Sequence, residues 1–127
     1  CIVTDHAPHS REEKELGFIH APFGMIGLET SVGLTLTELV HPKILTFPQM
    51  VEKMSAAPAR IVGLQTKGRI EEGYDADLTI IDPQKEWVFT KEEIASKSKN
   101  SPFIGRKMKG RVEITIFSGK IVYSTDH

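Results

Sequence analysis

The sequence predicts an α/β fold: a strand end, then helices, then a small β region. Three observations carry this. Cys1-Ile2-Val3 is apolar and gives way abruptly to Thr4-Asp5-His6, as a buried strand does where it ends. Apolar residues then recur at helical spacing between residues 28 and 64. After Gly68 the pattern becomes β-branched runs between turn signals.

The first nine residues carry the chemistry. Asp5, His6 and His9 follow the predicted strand, and α/β enzymes place their working groups where strands end. The plainer reading is a polar turn in which Asp5 bonds its own backbone. The chain opens inside a strand and without Met, so a C-terminal piece of a longer protein is expected. An N-terminal cysteine nucleophile would explain the same start, but Cys1 before Ile2-Val3 suits a small buried hydrophobe better.

Ser10 to Glu15 is charged and long enough for one helical turn. Gly17 to Gly27 is predicted as a long loop, and long loops in compact domains tend to be functional. Leu28, Val32, Leu36, Leu39 and Val40 share one face of a first helix, which Pro42 ends. Thr46 and Gln49 form a capping box, with Pro48 in the first turn of a second helix. Its apolar stripe is Phe47, Met50, Val51 and Met54. A third short helix is expected from about Ser55 to Gly63, burying Ile61 and Leu64. Leu78–Ile81 reads as a strand closed by Asp82-Pro83, and Trp87–Phe89 as another. Thr90 and Glu93 look like a further capping box, opening a short helix through about Ala95, and residues 97 to 110 like a loop. Val112, Ile114 and Ile116 alternate up to Ser118-Gly119, and Lys120–Tyr123 returns as a hairpin.

Composition narrows the function. The 127 residues suit one domain; 39% are hydrophobic and 26% charged, as in a globular protein. Sixteen Lys and Arg against 17 Asp and Glu leave a net charge of -1, so neither nucleic acid nor an anionic membrane is an expected partner. No apolar run reaches the ~18 residues of a membrane span. A single cysteine and no visible signal peptide point to a reducing, cytoplasmic setting. Asp5, His6 and His9 have donors suited to zinc, but a catalytic zinc wants three protein ligands. His20, His41 and His127 are scattered, and the chain has no H-x-H, H-E-x-x-H or C-x-x-C.

Taken together, Thr4-Asp5-His6-Ala7-Pro8-His9, Glu12-Glu13-Lys14, Ala21-Pro22-Phe23-Gly24 and Gly27-Leu28-Glu29-Thr30 resemble the bacterial class I dihydroorotases of the amidohydrolase superfamily. The likeness continues through Ser55-Ala56-Ala57-Pro58-Ala59-Arg60, Gly68-Arg69-Ile70, Gly73-Tyr74-Asp75-Ala76-Asp77-Leu78 and Asn100-Ser101-Pro102-Phe103. The resemblance implies the C-terminal part of a (β/α)8 metal-dependent hydrolase barrel plus a small β-sandwich extension. Residues 1–64 would be the end of the barrel and residues 65–127 the small β domain. It implies interconversion of dihydroorotate and N-carbamoyl-aspartate in pyrimidine synthesis. Asp5 would end the eighth strand, ligate the metal and act as general base toward its bound water. His9 would contact the acidic substrate, and Phe23 and Gly24 would offer backbone to its ring. His6 is read as structural. The cofactor would be zinc, one or two ions in the full-length enzyme. The remaining ligands would lie in a missing N-terminal part of the same protein, so the piece alone is expected to be inactive and to hold no metal tightly. A homodimer is left open. The alternatives are another cyclic amidase, hydantoinase- or allantoinase-like, and a non-catalytic dihydroorotase-like scaffold protein.

Overall fold

A computed structural model describes residues 1–125; His127 lies outside them. The order of elements is α1 (Arg11–Lys14), α2 (Ser31–Thr35), α3 (Phe47–Val51), α4 (Ala57–Ile61), then β1 (Leu78–Val88), β2 (Lys107–Phe117) and β3 (Lys120–Ser124). The strands form one antiparallel sheet in the order β1-β2-β3.

The two longer helices are each interrupted. A π-helical turn, Leu36–Val40, continues α2 and closes with His41 N–H donating to Leu36 O at 2.9 Å. A second π turn, Glu52–Ala56, joins α3 to α4, so the expected second and third helices are one run. At its start Thr46 and Gln49 make the predicted capping box, each side chain bonding the other's backbone. Helix α1 has a box of the same kind, from Ser10 and Glu13.

The sheet departs further from expectation. Asp82-Pro83 does turn the backbone: Asp82 Oδ1 accepts from the N–H groups of Gln84 and Lys85 at 2.8 and 3.2 Å. The strand nevertheless resumes, because β2 runs unbroken beside it. Pro83, Gln84 and Lys85 bulge opposite Gly110, and pairing returns at Glu86↔Lys109. Such a bulge keeps both flanks in one ladder. The expected loop therefore ends at Arg106, and β2 begins at Lys107. No helix follows Thr90, because the Glu93 carboxylate bonds Arg111 at 2.7 Å instead of capping, and Arg111 also lies over the Trp87 ring. The hairpin is as expected, with Ser118 and Gly119 both at positive φ.

The core sits between the loops and the sheet. Ile26, Phe89, Ile94 and Met108 are buried together, with Leu34, Trp87, Phe103 and Ile104 against them. Helix α2 packs on β2 through Gly33 and the π turn through Leu36. Leu28, expected on that face, is exposed, as are Ile61 and Leu64. The face turned to β2 is set by where small residues allow close approach, and Gly33 does so where Leu28 would not.

The predicted buried strand at the start is not found. Val3 is 79% exposed, and a strand needs a neighbour to pair with. Among the described residues its backbone-to-backbone pairing comes to Ile2 N–H to Lys53 O, Ala7 N–H to Met25 O and a single parallel bridge, His6↔Met25.

Candidate active site

Three stretches far apart in sequence are drawn together: residues 5–9, 22–27 and the turn at Asn100. The His6↔Met25 bridge aligns the first two. His6 Nδ1 then accepts from Gly27 N–H at 3.1 Å. With that nitrogen engaged by backbone, His6 holds the loops together, in keeping with its structural reading. Asp5 sits at φ 45, a left-handed conformation that Asp and Asn tolerate better than most residues. Its side chain is exposed and makes no hydrogen bond or ion pair among the described residues.

His9 lies at the start of α1. Its Nδ1 is 3.8 Å from Glu13 Oε2. The Glu13 carboxyl is held below the usual carboxylate range, chiefly by the Ser10 N–H it accepts. On its other side His9 meets the second loop. A Cβ placed on Gly24 would lie 3.4 Å from His9 Nε2 and only 2.6 Å from Ala7 Cβ. Gly24 also has φ +111, so a side chain there is excluded by both space and backbone. His9 Nε2 therefore occupies the space beside Gly24 that a side chain would need. Phe23 beside them is 95% exposed.

Two residues to which the sequence reading assigned no role tie this corner. Lys14 Nζ donates to Pro22 O at 2.9 Å and to Gly24 O at 3.2 Å. Asn100 Nδ2 donates to Ala7 O at 2.9 Å and to Gly24 O at 3.4 Å, while its Oδ1 accepts from His9 N–H at 3.3 Å. The Asn100 carbonyl accepts from Ile26 N–H at 3.1 Å. Both residues stood inside quoted motifs, but partners this distant in sequence leave no local signal.

A metal does not fit these donors alone. Among the described residues no three His, Cys, Asp or Glu side chains converge. Asp5 offers one carboxylate, and His6 Nδ1 is already engaged. A mononuclear catalytic zinc takes three protein ligands. Nearby, a cleft of about 530 Å³ is lined by His6, Leu28, Glu29, Trp87, Arg111 and Tyr123 among others, without Asp5 or His9. No helix among the described residues is long and apolar enough to cross a membrane.

The profile of the amidohydrolase family matches residues 24–123. The chain belongs to the amidohydrolase family. It is 52% identical to a dihydroorotase of Endomicrobium trichonymphae over 97% of its length, and 53% identical to one from Geotalea daltonii over 99%. It spans 29% of the length of each. Among solved amidohydrolases, the L-hydantoinase (dihydropyrimidinase) of Arthrobacter aurescens superimposes with a TM-score of 0.87 at 35% identity, over 94% of this chain and 28% of that one. The dihydropyrimidinase of Brevibacillus agri does so at 0.88 and 27%, over 97% and 28%.

Proposed function

We propose that this chain is part of a dihydroorotase, an enzyme that opens and closes the cyclic amide of dihydroorotate. One observation carries the reading: identity to proteins named dihydroorotase reaches 52–53% across nearly the whole chain. The hydantoinase and dihydropyrimidinase structures share the fold at lower identity, 35% and 27%, and they support a hydantoinase-like activity as the second reading. Within this proposal residues 1–64 belong to the end of a (β/α)8 barrel and residues 65–127 to the small β domain. Exposed apolar side chains such as Val3, Phe18, Ile19 and Ile70 would then be covered by the rest of a larger protein.

In this reading Asp5 is the general base. Its exposed, unpaired carboxylate takes a proton from the water attacking the ring carbonyl and returns it to the departing ring nitrogen. His9 offers its imidazole to the acidic substrate, and the Phe23–Gly24 backbone lies along the ring. Asp5 would also give one oxygen to a zinc whose other ligands come from beyond the described residues, and that metal would supply Lewis-acid chemistry.

The test uses the full-length gene product. It should hydrolyse dihydroorotate in preference to hydantoin and dihydrouracil. Asp5→Asn keeps the shape and tolerates the left-handed backbone, so it should cut kcat by about 10²–10⁴-fold, the range for a lost acid–base group, without moving the melting temperature. Turnover of hydantoin alone, or an Asp5→Asn enzyme of full activity, would sink the proposal.

A further inference from the structure

We propose that Lys14 and Asn100 are positioning residues that set the direction of the Pro22–Gly24 backbone beside His9. The inference rests on the reading above, in which that backbone faces the cyclic amide.

Two peptide groups flank the Phe23–Gly24 peptide, and both are anchored through their carbonyls. In a trans peptide the C=O and N–H point to opposite sides. The Lys14 ammonium pulls Pro22 O toward α1 at 2.9 Å, which aims Phe23 N–H the other way. Lys14 and Asn100 both donate to Gly24 O, at 3.2 and 3.4 Å, which fixes the next peptide in the same manner. The peptide between them, Phe23 C=O with Gly24 N–H, has no backbone hydrogen-bond partner among the described residues. It is held from both ends and left free to meet a ligand.

Asn100 also ties this backbone to His9. A carboxamide has two N–H donors and one oxygen acceptor. Asn100 places its donors on Ala7 O and Gly24 O and its acceptor on His9 N–H. One side chain thereby sets the spacing between the histidine loop and the glycine loop. Neither aspartate nor alanine can do the same. Aspartate could still accept from His9 N–H, but it would face two carbonyl oxygens without a proton to give. Lys14 is replaceable only by another multiple donor, and arginine qualifies.

The experiment uses the full-length enzyme with dihydroorotate as the probe. Asn100→Asp, Asn100→Ala and Lys14→Met should each lower kcat/KM by about 10- to 100-fold, as expected when a positioned group drifts by up to an ångström. Most of the loss should appear in KM, and Lys14→Arg should recover most of it. Lys14 is half-buried in a four-residue helix with no buried residue, so its variants should fold even where those of Asn100 do not. An independent readout needs no turnover: hydrogen exchange over residues 5–9 and 22–27 should quicken in the variants while Phe47–Ile61 is unchanged. If kcat/KM stays within twofold of wild type, or if Lys14→Met lowers kcat at constant KM, positioning by this clasp is refuted. If the wild-type enzyme ignores dihydroorotate, the substrate reading fails instead. The exchange data then decide the clasp alone, and unaltered exchange over both loops refutes it.

Discussion

Replacing Gly110 by alanine should be among the most damaging single changes in the β region. Gly110 lies in β2 opposite the β1 bulge, at φ +101. An alanine Cβ there would stand 2.3 Å from Leu36 Cδ1 and 2.9 Å from Leu36 Cβ. Leu36 is wholly buried in the π turn after α2, so it cannot swing into solvent. Nor can the Gly110 backbone turn away, since its carbonyl accepts from Trp87 Nε1 at 3.0 Å. Two costs add. A non-glycine residue at such a φ is strained by about 1–3 kcal/mol. Overpacking a filled site costs about 1–3 kcal/mol more. A total of about 4 kcal/mol should lower the melting temperature by roughly 15 °C for a domain of this size. The assay is thermal and urea unfolding of Gly110→Ala, Leu36→Ala and the double variant. Because Leu36→Ala removes Cδ1 and Cγ, the double variant should lose at least ~1 kcal/mol less than the sum of the singles, as coupled neighbours do. A Gly110→Ala protein within ~0.5 kcal/mol of wild type, or strict additivity, would show that the contact between β2 and the π turn is not as tight as described.

Other changes test other parts of the molecule. Thr46→Ala removes the cap of α3 and should cost about 1 kcal/mol, seen as a lower urea midpoint at constant m-value; no change would mean that the capping box contributes nothing. The Asp75 and Asp77 carboxyls share Lys67 and are both held below their ordinary value of 3.8, mainly by that ammonium. Depressed folded values mean that the deprotonated pair stabilises the fold above about pH 4, and that this stability is lost as pH falls through the lower folded values. The melting-temperature gap between wild type and Lys67→Met should therefore be constant near neutrality and close below pH 4; a gap that widens in acid would contradict the assignment.

Local rules reached much of this chain. Thr46 and Gln49 announced their helix because a capping box is made within four residues, and Ser118-Gly119 announced its hairpin because the turn's backbone geometry depends on those two positions. The D-H-A-P-H, A-P-F-G and G-L-E-T stretches indicated a family that the comparisons bear out. What the sequence could not decide was everything settled by a distant partner. Asp82-Pro83 reads locally as a strand end, yet β2 holds both flanks in one ladder. Glu93 reads as a capping residue, yet Arg111 takes its carboxylate. Leu28 has helical spacing on its side, yet the face turned to the sheet is chosen by Gly33 and Gly110, where two backbones come close. The candidate site divides in the same way. The residue types at Asp5, His9 and Phe23–Gly24 were legible from motif alone. That His9 lies beside Gly24, and that Lys14 and Asn100 hold the loops around them, depends on bonds spanning up to 93 residues, and only the folded chain brings such groups together.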